Sequence, residues 1–483
     1  MTAQAVADSQ DGIAEPRRRG CAIASVLAGM VLVVLDAAIA NIALPTIAVS
    51  LHVTPASAVQ VVIAYQLGLV MMLLPAAALG ESIGYRRVFV TGAAIFTAAS
   101  IVCAASPSLT WLVGARFLQG IGGAGILALG VALLRSIVPS HRLGAAIGWN
   151  AVTVALSSAA GPTLGATILS FGQWRCTFAV SVPIGVCVVL CAQALPNVKG
   201  TGRVVGLTSV ALSAGMFALF FIGAQILPTQ PQIALPLIVA AILLATLLWR
   251  RELQRVAPLL PVDLLWRPSF RLSVIASVLS FTGQAAALVA LPFSLQHAFG
   301  LPPLAAALYL LPWPLTVAIT APLAGRLADR LPTAVLCLTG GILLAVGLAS
   351  AAFAQVDRHT LSLGIFVMLC GAGFGLFNVS NNRNMFMSAP RERSGAAGGL
   401  QSVARVTGQT IGAVFMSMLL TSYSVIVATR IGLMTAAILT LAAGITSVFR
   451  MRDSGGYLND STTRAVAMHP GISKCPIRIP PQP

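Results

Sequence analysis

Charged residues are scarce in this 483-residue chain. Asp, Glu, Lys and Arg make up only 8% of the residues, whereas 57% are hydrophobic and the mean hydropathy is +0.92. A typical soluble protein is about 25% charged, and a soluble chain of this length folds as several domains that each need a solvated surface. The composition therefore excludes a water-soluble protein and indicates an integral membrane protein.

Several motifs that define other functional classes are also missing. The sequence contains no GxxxxGK[ST], HExxH or CxxC motif, and its eight cysteines lie mostly inside apolar runs without metal-ligand spacing. The net charge is +17, but the basic residues are scattered between apolar runs and form no dense patch, which argues against a nucleic-acid partner. We therefore expect no enzyme activity, cofactor, metal or nucleotide, although a non-transporting membrane sensor stays open as an alternative.

What is present is a series of apolar runs of about 20 residues, the length of a membrane-spanning helix. The sequence predicts an all-α polytopic membrane protein with fourteen spans: 21–43, 57–79, 88–105, 109–133, 144–168, 175–195, 204–225, 233–249, 272–298, 304–325, 334–354, 361–382, 396–421 and 431–449.

The basic residues orient these spans. With a cytoplasmic N-terminus, 24 of the 29 Lys and Arg residues fall on inside segments, and only Arg175, Arg358 and Arg430 fall outside. Cytoplasmic loops of membrane proteins carry an excess of Lys and Arg. The asymmetry predicts that both termini are cytoplasmic.

The chain also resembles itself at an offset of 247 residues. The segment 40–45 matches 287–292, Pro55 matches Pro302, Pro75 matches Pro322, and 161–165 matches 408–412. Spans 1–6 therefore correspond to spans 9–14 in the same orientation, with spans 7 and 8 inserted between two six-helix bundles. Parallel repeats of this kind are one architecture of secondary transporters. The predicted divisions are a cytoplasmic N-terminal tail 1–20, a bundle 21–198, inserted spans 199–255, a cytoplasmic linker 256–271, a second bundle 272–452, and a disordered cytoplasmic tail 453–483.

Three charged residues lie inside the spans: Asp36, Arg116 and Arg405. Intramembrane charges are costly and usually face a protein-lined interior, so they are functional candidates. Burial favours the neutral form of a carboxyl group and a nearby cation favours the charged form, so such a group can switch its protonation. The alternative is that Asp36 is a permanently ionised structural partner of Arg116, and Arg405 either faces the pathway or snorkels to the cytoplasmic surface.

The loop after span 2 reads LGESIGYRR at 79–87, and the loop after span 10 reads GRLADRL at 325–331. Both resemble the G-x-L-x-D-R-x-G-R-R loop of the major facilitator superfamily. In the first copy, Glu81, Ser82 and Tyr85 stand where the family motif has Asp, Arg and Arg. The resemblance implies a conformational gate, in which acids pair with guanidinium groups in one state only. The gate residues it implies are Glu81, Gly84, Arg86, Arg87, Asp329 and Arg330.

Three further segments resemble the fourteen-span drug:proton antiporters of that superfamily. Segment 35–45 is similar to L-D-x-T-x-x-N-x-A-L-P, with Ala38 at the Thr; 116–120 matches R-x-x-Q-G; and 157–166 is similar to g-x-x-x-G-P-x-x-G-G. The last motif is typical of exporters and places Gly161, Pro162 and Gly165 on span 5. Its small residues allow close helix contact, and Pro162 permits a bend.

The resemblance implies a multi-pass protein of the bacterial inner membrane that exports drug-like or amphipathic small molecules in exchange for protons. Asp36 and Arg116 would couple transport to protons, and the halves would rock to give alternating access. A dedicated exporter or importer of one metabolite is the alternative on the same fold, and periplasmic or outer-membrane partners are not identified by the sequence. Candidate pathway residues are Asn41, Tyr65, Gln66, Gln119, Trp313, Asn378 and Arg405, with Tyr309 a further cavity candidate.

Overall fold

The computed structural model describes residues 16–138, 143–171, 173–197, 200, 206–253, 262–328, 330–354, 361–389 and 394–467. Within these ranges the secondary structure is helical and contains no strand. The long helices are α1 Pro16–Ser50, α2 Pro55–Ile83, α3 Tyr85–Ala104, α4 Leu109–Ile137, α5 Leu143–Phe171, α6 Arg175–Ala194, α7 Leu207–Ile226, α8 Pro231–Leu253, α9 Pro268–Ala298, α10 Pro303–Leu327, α11 Thr333–Phe353, α12 Leu361–Ser388, α13 Ser394–Ser422 and α14 Val425–Ala467.

Three of these helices are built from shorter pieces, and in α9 the segment Pro268–Phe293 continues into the π-helical turn Ser294–Ala298. Helix α6 consists of Arg175–Ala179, Ser181–Cys191 and a final turn Ala192–Ala194, and α10 consists of Pro303–Leu310 and Pro312–Leu327. The break in α10 follows from Pro312 and Pro314, which lack the N–H groups that would continue the helical hydrogen bonds. A short helix, Val262–Leu265, precedes α9.

Thirteen of the described helices are long and apolar enough to cross a membrane. The remaining predicted span, 144–168, lies inside the uninterrupted 29-residue helix α5. The helices extend beyond the predicted spans because the helical backbone continues into the polar flanks, whereas an apolar run ends at the first charges. The all-α, polytopic fold class is confirmed, and the count of fourteen stays a prediction.

The two halves pair their helices in the same way. Helix α1 packs against α5 as α9 packs against α13, and α2 packs against α4 as α10 packs against α12. Helices α3 and α6 are likewise in contact, as are α11 and α14. Each pair has its counterpart eight helices later, which a parallel repeat requires. The predicted domain boundaries remain predictions, and α14 runs past the proposed start of the tail at 453 to Ala467.

The halves meet through α2 against α13 and α5 against α10, with further contacts between α1 and α9. The inserted helices α7 and α8 pack against each other, and α7 also contacts α2 and α13. Helix α8 exposes a row of large apolar side chains, including Val239, Ile242, Leu243 and Leu247. Such a surface fits the lipid bilayer, so the inserted pair lies at the rim of the bundle interface.

Candidate functional site

The two predicted coupling residues form an ion pair. Arg116 of α4 donates from Nη1 to Oδ2 of Asp36 on α1, and this is the only salt bridge among the described residues. Asp36 is 2% exposed and Arg116 is 0% exposed. An ion pair without access to water is retained only if further hydrogen bonds satisfy both ions.

Three neutral side chains, one each from α3, α4 and α6, surround the ion pair. Gln119 Nε2 and Ser181 Oγ donate to Asp36 Oδ1 over 3.0 and 3.1 Å. Gln119 Nε2 also donates to Ser100 Oγ at 2.8 Å, and its Oε1 accepts from Arg116 Nη1 at 2.6 Å. Both oxygens of Asp36 therefore accept hydrogen bonds, Oδ2 from Arg116 and Oδ1 from Gln119 and Ser181.

The guanidinium has its own environment. Arg116 Nε donates to the Val61 carbonyl at 3.3 Å, and its Cζ lies 4.3 Å from the Tyr65 ring centroid and 5.4 Å from that of Phe178. Its Nη2 is buried without a hydrogen-bond partner. The cation is therefore held by one acid, an amide, a carbonyl and two aromatic faces, which suits the planar fork of Arg and not the point charge of Lys.

A separate cavity lies where the two halves meet. Residues from α1, α5, α9, α10 and α12 line about 730 Å³ of atom-free, partly open space. Helix α1 contributes Ala38, Asn41 and Ile42. At 100° per residue these positions lie roughly 140–240° around α1 from Asp36. The ion pair and the cavity therefore occupy opposite faces of the same helix.

The candidate pathway residues divide between these places. Asn41 and Trp313 line the cavity, whereas Tyr65 and Gln119 belong to the surroundings of the ion pair. Gln66, Asn378 and Arg405 are not among the lining residues: Gln66 has a buried Oε1 without a partner, and Asn378 accepts from Asn382 at 3.1 Å. Tyr309 packs against the apolar core.

Sequence reasoning missed several residues of both places. Ser100 and Ser181 are isolated hydroxyl residues in apolar runs and give no sequence signal. In the cavity it missed Gln284, Leu288 and Phe374. The repeat offered a clue here, because Leu288 occupies the position 247 residues after Asn41.

The predicted gate loop between α2 and α3 turns at Gly84. This residue has a φ of 107°, a conformation that favours glycine, and its N–H bonds to the Gly80 carbonyl at 3.0 Å. Glu81 and Arg87 are exposed and Arg86 is partly buried at this turn. In the second copy Arg330 is exposed, whereas Asp329 lies outside the described residues.

The antiporter-motif glycines bring α5 against α1. A Cβ at Gly161 would lie 2.3 Å from the Cβ of Ala38, and one at Gly165 would lie 2.8 Å from Ile42 Cγ2. Pro162, between them, lines the cavity. The motif therefore sets the distance between α5 and the helix that carries both the ion pair and part of the cavity.

Substituting Gly161 with Ala is expected to destabilise the protein by about 1–3 kcal/mol, because the added methyl overpacks the contact with Ala38. The matched control is Gly114→Ala in α4, where a Cβ meets nothing within 4 Å. Ala favours a helix over Gly by about 1 kcal/mol, so this variant should be neutral or stabilised. Thermal unfolding of both purified variants measures the difference, and equal behaviour would contradict the close contact.

The chain is similar in sequence to known membrane transporters and drug-resistance proteins. The Major Facilitator Superfamily profile matches residues 26–413 and 273–470. The chain is 40% identical to the uncharacterized transporter YebQ of Escherichia coli, over 91% of this chain and 97% of that protein. It is 31% identical to the multidrug resistance protein Stp of Mycobacterium tuberculosis, over 82% of this chain and 74% of that protein.

A further relative is named for a different transport function. The chain is 26% identical to the riboflavin transporter RibZ of Clostridioides difficile, over 80% of this chain and 85% of that protein. Two of these relatives are named as transporters and the third as a multidrug resistance protein, and thirteen described helices of this chain are long and apolar enough to cross a membrane. The profile match spans most of the chain, and the helix pairing repeats between its halves. This multi-pass membrane protein therefore belongs to the Major Facilitator Superfamily of transporters and is not an enzyme.

Proposed function

We propose that this protein exports small drug-like or amphipathic molecules across the bacterial inner membrane in exchange for protons, with both termini in the cytoplasm. The observation that carries the proposal is the buried pair of Asp36 and Arg116, whose carboxylate oxygens are both occupied by donors. Burying this ion pair costs free energy, and the cost is explained if Asp36 is the group that binds the transported proton.

Proton binding would act through hydrogen-bond exchange. A protonated carboxyl of Asp36 loses its charge attraction to Arg116 and gains an O–H donor, whereas the Arg116 and Gln119 nitrogens that face it are donors as well. Because Gln119 and Ser181 lie on α4 and α6, the exchange loosens the hold of those helices on α1. Helix α1 also lines the cavity, so this change alters the cavity between the halves.

The alternating-access step is a relative movement of the two halves. The outer ends of the halves are held together by two hydrogen bonds: Gln296 Nε2 to the Ile42 carbonyl at 3.3 Å, and Ser417 Oγ to the Ala56 carbonyl at 3.1 Å. We propose that Glu81, Arg86 and Arg87, together with Asp329 and Arg330, form the opposing cytoplasmic gate. Charge-assisted pairs there would form in one state and break in the other.

A dedicated transporter of one metabolite is the second candidate. The observation that favours it is the resemblance to a relative named as a riboflavin transporter. Both candidates use the same cavity and differ in how many molecules are accepted. A panel of structurally unrelated compounds separates them, because a dedicated transporter moves one chemical family and a multidrug exporter moves several.

The test uses the purified full chain in proteoliposomes, in the fraction with the cytoplasmic face outward. The panel holds several compounds of each charge, headed by chloramphenicol (uncharged), tetraphenylphosphonium (cationic) and nalidixic acid (anionic). With an acidic lumen, at least one compound should accumulate inside, and a proton ionophore should abolish this accumulation. Accumulation that is unchanged by the ionophore, or flux only from the lumen to the outside, would contradict proton-coupled export.

A further inference from the structure

The cavity between the halves contains no charged lining residue among those described. Ten of its twelve lining residues are apolar, and the two polar ones are the amides Asn41 and Gln284. Asp36 cannot supply a charge there, because it is 2% exposed and lies on the opposite face of α1. A charged ligand in this cavity would lose its water without gaining a counter-ion, which is strongly unfavourable.

Proline residues leave backbone carbonyls without helical donors in three helices that line the cavity. Pro45, Pro292 and Pro314 lack an N–H, so the carbonyls four residues earlier lose their regular helical donors. Those carbonyls belong to Asn41, Leu288 and Leu310, and each of these residues lines the cavity. Helical backbone interrupted in this way inside a membrane is tolerated where it is buried in protein or faces a cavity.

The two amide side chains of the cavity keep hydrogen-bonding groups that bond to no described residue. One N–H of Asn41 bonds to the Ala37 carbonyl at 3.1 Å, which leaves its Oδ1 as an acceptor. Gln284 makes no hydrogen bond to any described residue. The wall therefore offers the amide oxygens of Asn41 and Gln284 as acceptors for donor groups of a ligand. Trp313 of α10 and Phe374 of α12 supply flat apolar surfaces beside them.

We propose that the cargo is an uncharged molecule with a flat apolar body and hydroxyl or amide N–H donors, which Gln284 and Asn41 recognise. The inference rests on the proposed transport function and narrows its substrate class. Proton and cargo then bind on opposite faces of α1 and do not compete for one carboxylate. The coupling between them is mechanical, through the position of α1.

The transport panel tests the charge preference directly. We expect uncharged donor-bearing compounds such as chloramphenicol to be accumulated, and tetraphenylphosphonium and nalidixic acid to be rejected. Transport of the charged compounds in preference would overturn this inference and leave proton-coupled export intact. If the gradient drives no compound of any charge, the proposed function fails together with it.

Variants of Gln284 test the recognition site. Replacing Gln284 with Leu keeps the volume and removes the amide, so the half-saturating concentration for chloramphenicol should rise about tenfold. Gln230→Leu, at an exposed position outside the cavity, is the matched control and should change nothing. Unchanged chloramphenicol transport by a folded Gln284→Leu variant would overturn the assignment of this residue.

A charged variant gives a gain-of-function readout that misfolding cannot imitate. Gln284→Glu places one carboxylate in an otherwise uncharged cavity, where its attraction for a cation is weakly screened. We expect this variant to accumulate tetraphenylphosphonium and to lose chloramphenicol transport. If tetraphenylphosphonium transport is already present in the parent protein and does not increase, the uncharged-cavity proposal is wrong.

Discussion

Substitution of Asp36 with Asn is expected to abolish accumulation driven by a pH gradient while cargo counterflow continues. The Asn side chain has nearly the same size but binds no proton, so transport loses its coupling and keeps its pathway. The cavity lies on the other face of α1 and should bind cargo as before. The measurement is a comparison of gradient-driven accumulation with counterflow in the same proteoliposomes.

The variant also leaves Arg116 as a buried cation without a counter-ion, which costs about 3–5 kcal/mol in comparable proteins. Its folding must therefore be checked by gel filtration and thermal unfolding before transport is compared. Ser100→Ala is the matched control, because it removes one neutral contact of Gln119 and keeps the ion pair. Full gradient-driven accumulation by a folded Asp36→Asn protein would disprove the role of this carboxylate in coupling.

Substitution of Arg116 should have the second largest effect. Arg116→Leu removes the partner of a carboxylate that is 2% exposed, and it also removes contacts with Gln119 and the Val61 carbonyl. We expect a loss of about 3–5 kcal/mol in stability and no gradient-driven accumulation. Arg116→Lys keeps the charge but cannot bond to Asp36, Gln119 and Val61 together, so it should be less severe and still well below the parent.

A double variant separates charge balance from coupling. Asp36→Asn combined with Arg116→Leu contains no buried ion at this site, so it should be more stable than Arg116→Leu alone. It should nevertheless show no gradient-driven accumulation, because the proposed proton-binding carboxylate is gone. If Arg116→Lys transports like the parent, the detailed hydrogen bonding of the guanidinium is irrelevant to the mechanism.

The positions of the ion pair and the cavity constrain the proposed coupling. Asp36 and Asn41 are five residues apart on one helix, yet the first faces α4 and α6 and the second faces the opposite half. Movement of α1 is restricted on its α5 side by the contact between Gly161 and Ala38. Under the proposed mechanism, a change in the ion pair would be transmitted to the cavity through displacement of α1, and Gly161 would limit that displacement.

Much of the fold was predictable from local signals. Apolar runs, the scattered basic residues and the 247-residue offset depend on short stretches of chain, and they gave the helical class and the repeat. The ion pair was predictable as well, because so few charges lie inside the spans. Of the candidate pathway residues, Asn41 and Trp313 line the cavity and Gln66, Asn378 and Arg405 do not, so their roles in transport stay predictions; Gln284 had no sequence signal.

The sequence by itself determined that this protein resides in a membrane, that its halves repeat, and that Asp36 and Arg116 are exceptional. The repeat follows from the 247-residue offset, and the other two conclusions rest on the cost of placing charge in hydrocarbon, which applies wherever the residue lies in the fold. Only the tertiary structure decided which residues share a cavity and that the carboxylate is turned away from it. Those facts depend on how five helices from both halves pack together, and such contacts leave no mark in any one segment.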